Sequence, residues 1–158
     1  MGAREQMSLC DQNVWLALVL PAHTHHVAAK AWWDGLQAER ALFCRSTQQG
    51  FLRLLTTEAV SAPYGLPART QSQAWDIYHQ IMSDPCAGFL PEPAGLEELW
   101  EKLSAQESAS PKLWVDAYLA AMAIKSGCVL VTFDGGFRQF EPHQLRLKWL
   151  GGPQAGVR

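Results

Sequence analysis

Residues 113–137, LWVDAYLAAMAIKSGCVLVTFDGGF, read as a helix, a glycine stop, an apolar strand and an acidic turn. That order restricts the fold more than any other part of the chain. Pro111 suits a first helical turn, with Ser110 as the expected N-cap. Leu113, Asp116, Ala117, Ala120 and Ala123 recur at helical spacing and share one face. The face is small and apolar, suited to lying on a sheet. Asp116 is its one charged member and is expected to lack a basic partner on the helix. Gly127 supplies the left-handed residue that ends many helices. Residues 128–132 form an apolar, β-branched run of the kind that fills a buried parallel strand, with Asp134 just past its carboxyl end. Two carboxylates are thus aimed at one sheet edge.

The rest of the chain supplies the sheet. Short apolar runs at 8–10, 41–44, 87–90 and 145–150 read as strands, the last as an edge strand. Helical patterns fall between them. One covers 13–20, and another covers 24–38 with Val27, Ala31 and Leu36 inward. A third starts near Ser46 or Thr47. Further ones cover 71–82, capped by Thr70, and 93–104. Strands alternating with helices predict an α/β fold, a parallel sheet covered on both faces. In such folds sites lie beyond the carboxyl ends of the strands. Asp11 follows the first strand there, so Asp11, Asp116 and Asp134 are expected to converge. A lone Asp at a strand end is usually a turn former or cap. Three in register with one edge are different. Like charges held together repel, and a hard divalent cation removes that conflict. The chemistry such a site supports is phosphodiester hydrolysis.

The totals narrow the class. A length of 158 residues favours one domain, placed at 7–150, with flexible ends expected at 1–6 and 151–158. No run approaches the roughly 18 apolar residues of a membrane span. The opening MGAREQMSL lacks a signal-peptide core, so a cytoplasmic protein is expected. Cys10, Cys44, Cys86 and Cys128 lack zinc-site spacing and read as reduced core thiols. A net charge of −2 gives no bulk attraction to nucleic acid, so phosphate contacts must be local. Arg45, Arg53, Lys112 and Arg138 are the candidates, and Thr132 is placed to hydrogen-bond a carboxylate or water. His23, His25 and His26 read as exposed residues around a helix start. Trp15, Trp75, Trp100 and Trp114 read as mostly core.

Four segments, LCDQNVWLAL (9–18), STQQGFLRLL (46–55), WVDAYLAAMA (114–123) and VTFDGGF (131–137), resemble PIN-domain ribonucleases in family order. They closely resemble the VapC toxins of bacterial toxin–antitoxin pairs. The resemblance covers nearly the whole chain. It implies a three-layer α/β/α sandwich with a central parallel sheet of four to five strands. It also implies Mg²⁺- or Mn²⁺-dependent cleavage of RNA, a cognate antitoxin and a homodimer. Asp11, Asp116 and Asp134 match three acidic positions of the family and are the expected metal ligands. The family's remaining acid, usually Glu, falls on Gln48, expected here as an outer or weak ligand. A further family acid is replaced by Gly136. Arg53, Thr132 and Arg138 are carried as candidate substrate contacts. The alternative reading is a PIN-like scaffold that has lost catalysis. A phosphatase on another α/β fold is disfavoured by Asn13, where its nucleophile motif needs a second Asp.

Overall fold

Five parallel strands form one sheet in the order β3-β2-β1-β4-β5. They are β1 (Met7–Cys10), β2 (Arg40–Phe43), β3 (Ala87–Phe89), β4 (Val129–Thr132) and β5 (Arg146–Trp149). The computed structural model describes residues 6–152. The ends expected to be flexible lie almost wholly outside these residues. The helices are α1 (Gln12–Val19), α2 (His26–Asp34), α3 (Arg45–Leu55), α4 (Glu58–Ser61), α5 (Gln71–Met82), α6 (Leu96–Ser104) and α7 (Leu113–Ser126). Two 3₁₀ segments, Ala62–Tyr64 and Gly135–His143, complete the order. The sequence pattern anticipates neither α4 nor the two 3₁₀ segments. Among the described residues no helix is long and apolar enough to cross a membrane.

Strand alternation sorts the core into two layers. Leu9, Leu42 and Leu130 point to the face covered by α6 and α7. Cys10, Ala41, Phe43 and Val131 point to the face covered by α1, α3 and α5. Successive strand side chains point to opposite faces, so both faces must be apolar and the strands read as unbroken hydrophobic runs. The result is a three-layer sandwich.

The register positions the site. β1 pairs with β4 at Leu9↔Leu130 and Cys10↔Val131. Their carboxyl ends therefore emerge side by side, and Asp11 N–H donates to Val131 O at 2.9 Å. α7 stops at Gly127, which takes φ +69°, as the sequence predicts. Its start differs from the expectation. Ser110 does not cap it; the helix begins at Leu113 with Lys112 at its N-cap. Neither Ser46 nor Thr47 sits at the N-cap of α3 either. Cys44 does, and Thr47 Oγ accepts from Cys44 N–H at 2.9 Å.

The inward face of α2 also differs. Val27 is 81% exposed and Ala31 is exposed, whereas Ala29 is buried and Trp32, Trp33 and Leu36 are half-buried. The helix is apolar on several sides, and the face that carries both tryptophans buries more area. Trp15 is fully buried, but Trp75 and Trp114 are exposed and Trp100 is half-buried.

Candidate active site

Each acid is held by a different kind of structural end. Asp11 caps α1, and its Oδ1 accepts from Gln12 N–H at 2.8 Å. Thr132, the last residue of β4, donates its hydroxyl to Asp11 Oδ2 at 3.0 Å. The same Thr132 oxygen accepts from Asp134 N–H at 3.0 Å. One hydroxyl therefore ties the first acid to the backbone of the last. Asp134 in turn caps the 3₁₀ segment Gly135–His143, with Oδ1 accepting from Gly136 N–H at 2.8 Å. Asp116 enters from the first turn of α7.

The three carboxylates line one open cleft of about 610 Å³, with Lys112 and Arg53 also in its wall. Burial pushes the Asp11 carboxyl up; the hydrogen bonds from Thr132 and Gln12 oppose this, and Asp116 and Asp134 add to it. Burial likewise raises Asp116, offset by Lys112 and reinforced by Asp134. Asp134 is held below the usual carboxylate range, chiefly by the Lys112 ammonium. All three acids thus feel one another.

Asp116 does not lack a basic partner. Lys112, four residues earlier, approaches its Oδ2 at 3.7 Å and bonds Asp134 Oδ2 at 2.5 Å. Among the described residues no three His, Cys, Asp or Glu side chains are already gathered as a metal cage. The donors are nevertheless all oxygens around a solvent-open cleft, and Lys112 offsets one charge among three carboxylates. That set fits a hard, hydrated divalent ion such as Mg²⁺ or Mn²⁺.

Other expected site residues fall elsewhere. Gln48 is buried, and Arg45 donates to its Oε1 at 2.5 Å. It also contacts Tyr78, and it is absent from the cleft wall, so it is not in place as a ligand. The first turn of α3 presents Ser46 and Gln49 to the cleft instead. Thr132 is fully buried against Asp11 and absent from the cleft wall, so it is not placed as a substrate contact. Arg138 pairs with Glu141 at 3.5 Å and lies over the Trp149 ring, outside the cleft. Arg45 lies over the Phe89 ring. Of the candidate cations only Arg53 and Lys112 reach the cleft. Gln12 also lines it, a residue that no motif or spacing singles out. Its side chain lies against Gly50, where any Cβ would displace it.

Thr132→Val should separate support from chemistry. The methyl keeps the volume and removes the hydroxyl, so Asp11 loses a partner that fixes its orientation. Such supporting groups typically change affinity or activity about 10- to 100-fold. Divalent-ion binding should weaken by that order, with a stability loss of roughly 1–3 kcal/mol from the unsatisfied groups left behind. Calorimetric titration and thermal melting would measure the two effects.

Comparison with known proteins agrees with this layout. The model of the PIN domain family matches residues 8–141. Ribonuclease VapC41 of Mycobacterium tuberculosis is 46% identical over 145 residues, spanning 89% of this chain and 98% of that protein. Among solved structures, Mycobacterium tuberculosis VapC20, a sarcin–ricin loop cleaving toxin, superposes with a TM-score of 0.60 at 21% identity. It spans 84% of this chain and 93% of that one. VapBC-1 from nontypeable Haemophilus influenzae gives 0.63 at 14% identity, over 93% and 100% of the two chains. These two likenesses concern the fold. With nearly its whole sheet-and-helix core matched by the family model, and with so high an identity to a relative along almost its full length, the chain belongs to the PIN-domain family, in its VapC ribonuclease branch.

Proposed function

We propose that the protein is a metal-dependent endoribonuclease toxin that hydrolyses RNA phosphodiester bonds and is restrained by a cognate antitoxin. The carrying observation is the cleft in which Asp11, Asp116 and Asp134 face one another on a PIN-domain fold. These three would hold Mg²⁺ or Mn²⁺. When bound, such an ion supplies Lewis-acid polarisation of the phosphate and a hydroxide at neutral pH.

The chain's own residues set the conditions. Asp11 is fixed through both oxygens, so it presents a preoriented carboxylate. Arg53 and Lys112 bring positive charge to a cleft that would otherwise repel a polyanion. Gln12 and Gln49 offer amide donors and acceptors at the same wall. Both Gln48 and Gly136 suggested decay in the scaffold reading. Gln48 stands off the cleft, so its missing charge does not weaken the three acids that remain.

Relatives support the assignment. VapC41 is named a ribonuclease, VapC20 a loop-cleaving toxin, and VapBC-1 a pair. An antitoxin and a cytoplasmic setting belong to the same proposal, as does a homodimer. Trp114 and Val115, exposed on α7, offer apolar surface for that last contact.

The test is cleavage of a structured RNA with Mg²⁺ or Mn²⁺, against EDTA and against Asp116→Asn. Cleavage should vanish in EDTA and fall by about 10²-fold or more in the variant, the size expected when several kcal/mol of charge stabilisation is lost. Equal cleavage in all three conditions would sink the reading.

A further inference from the structure

Lys112 stands where a divalent cation would need to be satisfied. Its Nζ lies 2.5 Å from Asp134 Oδ2 and 3.7 Å from Asp116 Oδ2, so one ammonium spans a helix acid and a strand-end acid. Arg53, the other cation of the cleft, makes no ion pair among the described residues. The placement follows from local structure. Lys112 is the N-cap of α7, one turn before Asp116, and the turn after β4 delivers Asp134 to the same point.

A metal ion and this ammonium draw on the same oxygens. Two cations cannot both sit within contact distance of one carboxylate pair without strong repulsion. The lysine is the one able to leave. Its side chain is 69% exposed and carries its charge on a flexible four-carbon stem. Asp11, by contrast, is buried and locked by Thr132 and Gln12.

We propose that Lys112 is a resident competitor for the divalent cation, neutralising Asp116 and Asp134 until a metal displaces it. The proposal rests on the metal reading above. It gives Lys112 two effects of opposite sign. The lysine keeps the acids from repelling one another in the metal-free protein, and it lowers the affinity with which they take an ion. The enzyme then responds to divalent-ion concentration over a range set by this one residue.

The test uses the full chain titrated calorimetrically with Mn²⁺ alone, with no RNA present. Lys112→Met should bind Mn²⁺ about two- to fivefold more tightly than wild type, the scale of one exposed ion pair removed. It should melt at a lower temperature without metal and gain more on adding it. Lys112→Arg, which keeps the charge, should bind like wild type. Lys112→Gln serves as a second neutral variant if the methionine protein misfolds. Equal or weaker Mn²⁺ binding by a neutral variant with a wild-type circular dichroism spectrum would overturn the proposal and leave the metal reading standing. Absence of Mn²⁺ binding by every protein, wild type included, would overturn both.

Discussion

Asp11→Asn should reduce RNA cleavage by about 10³-fold, from the loss of a charged group at the reacting phosphate, without making the metal-free protein less stable at neutral pH. The two halves of this expectation have one cause. Asp11 is 7% exposed, and burial raises its carboxyl above the ordinary range, with Asp116 and Asp134 pushing the same way. The folded state therefore holds a proton more tightly here than the unfolded chain does. For such a group, stability falls as pH rises through the window between the unfolded value and the raised folded one. Above that window the folded protein carries a charge it would hold more easily unfolded. Asparagine removes the charge, keeps an acceptor for Gln12 N–H and offers its amide to Thr132 Oγ. Melting in EDTA at pH 5 and pH 8 checks this. The advantage of asparagine over aspartate should be larger at pH 8 and shrink at pH 5. Adding Mn²⁺ should raise the wild-type melting temperature and leave Asp11→Asn unchanged. A variant clearly less stable than wild type at pH 8 would show that Asp11 is retained for structure.

The parts of the fold that were legible in the sequence are those where one residue has one local solution. Gly127 is the clear instance: a helix running into a β-branched strand needs a left-handed residue, and Gly127 takes it. The parallel sheet was legible because strands buried on both faces are apolar throughout, whichever helix covers them. The order of the strands then places Asp11 and Asp134 at one edge. What was not legible depends on which neighbour a side chain finds. Gln48 has the right position for a ligand, but Arg45 on the same first turn of α3 takes its carbonyl. Periodicity names a face of α2, yet its alanines and tryptophans present rival apolar faces. The sheet side chooses Ala29 over Val27. The expectation that Asp116 lacks a basic partner on its helix overlooks Lys112, four residues before it, and the stronger partner of Lys112 is Asp134, which only the meeting of β4 with α7 reveals. Thr132 is intermediate: the sequence pointed to a hydrogen bond with a carboxylate, and the pairing of β1 with β4 supplies Asp11 as that carboxylate.

Phe43→Ala should produce the opposite separation, a large loss of stability reached without touching an acid. Phe43 is fully buried at the end of β2, between β1 and β3 in the sheet. Its ring stacks on Trp15 with centroids 4.0 Å apart and meets Phe51 at 5.6 Å and Tyr78 at 5.1 Å. One side chain thus joins α1, α3 and α5 to the sheet. Truncating a buried phenylalanine costs about 3–5 kcal/mol, because the lost transfer energy adds to that of the cavity. For a domain of this size that corresponds to a melting temperature lower by about 6–20 °C. The neighbours cannot close the gap readily, since Trp15 is itself held against Trp33 and the strand backbone is fixed by parallel pairing on both sides. The effect should reach the cleft indirectly. Phe43 directly precedes Cys44, the N-cap of α3, and α3 carries Arg53 and Gln49 into the cleft wall. At a temperature well below its melting point the variant should still bind Mn²⁺, because Asp11 and Asp134 follow β1 and β4 and Asp116 stands on α7, whereas the ring contacts of Phe43 fall on Trp15, Phe51 and Tyr78. A chain that melts within about 1 °C of wild type would mean that the aromatic cluster closes over the missing ring, contrary to the close packing expected of protein interiors.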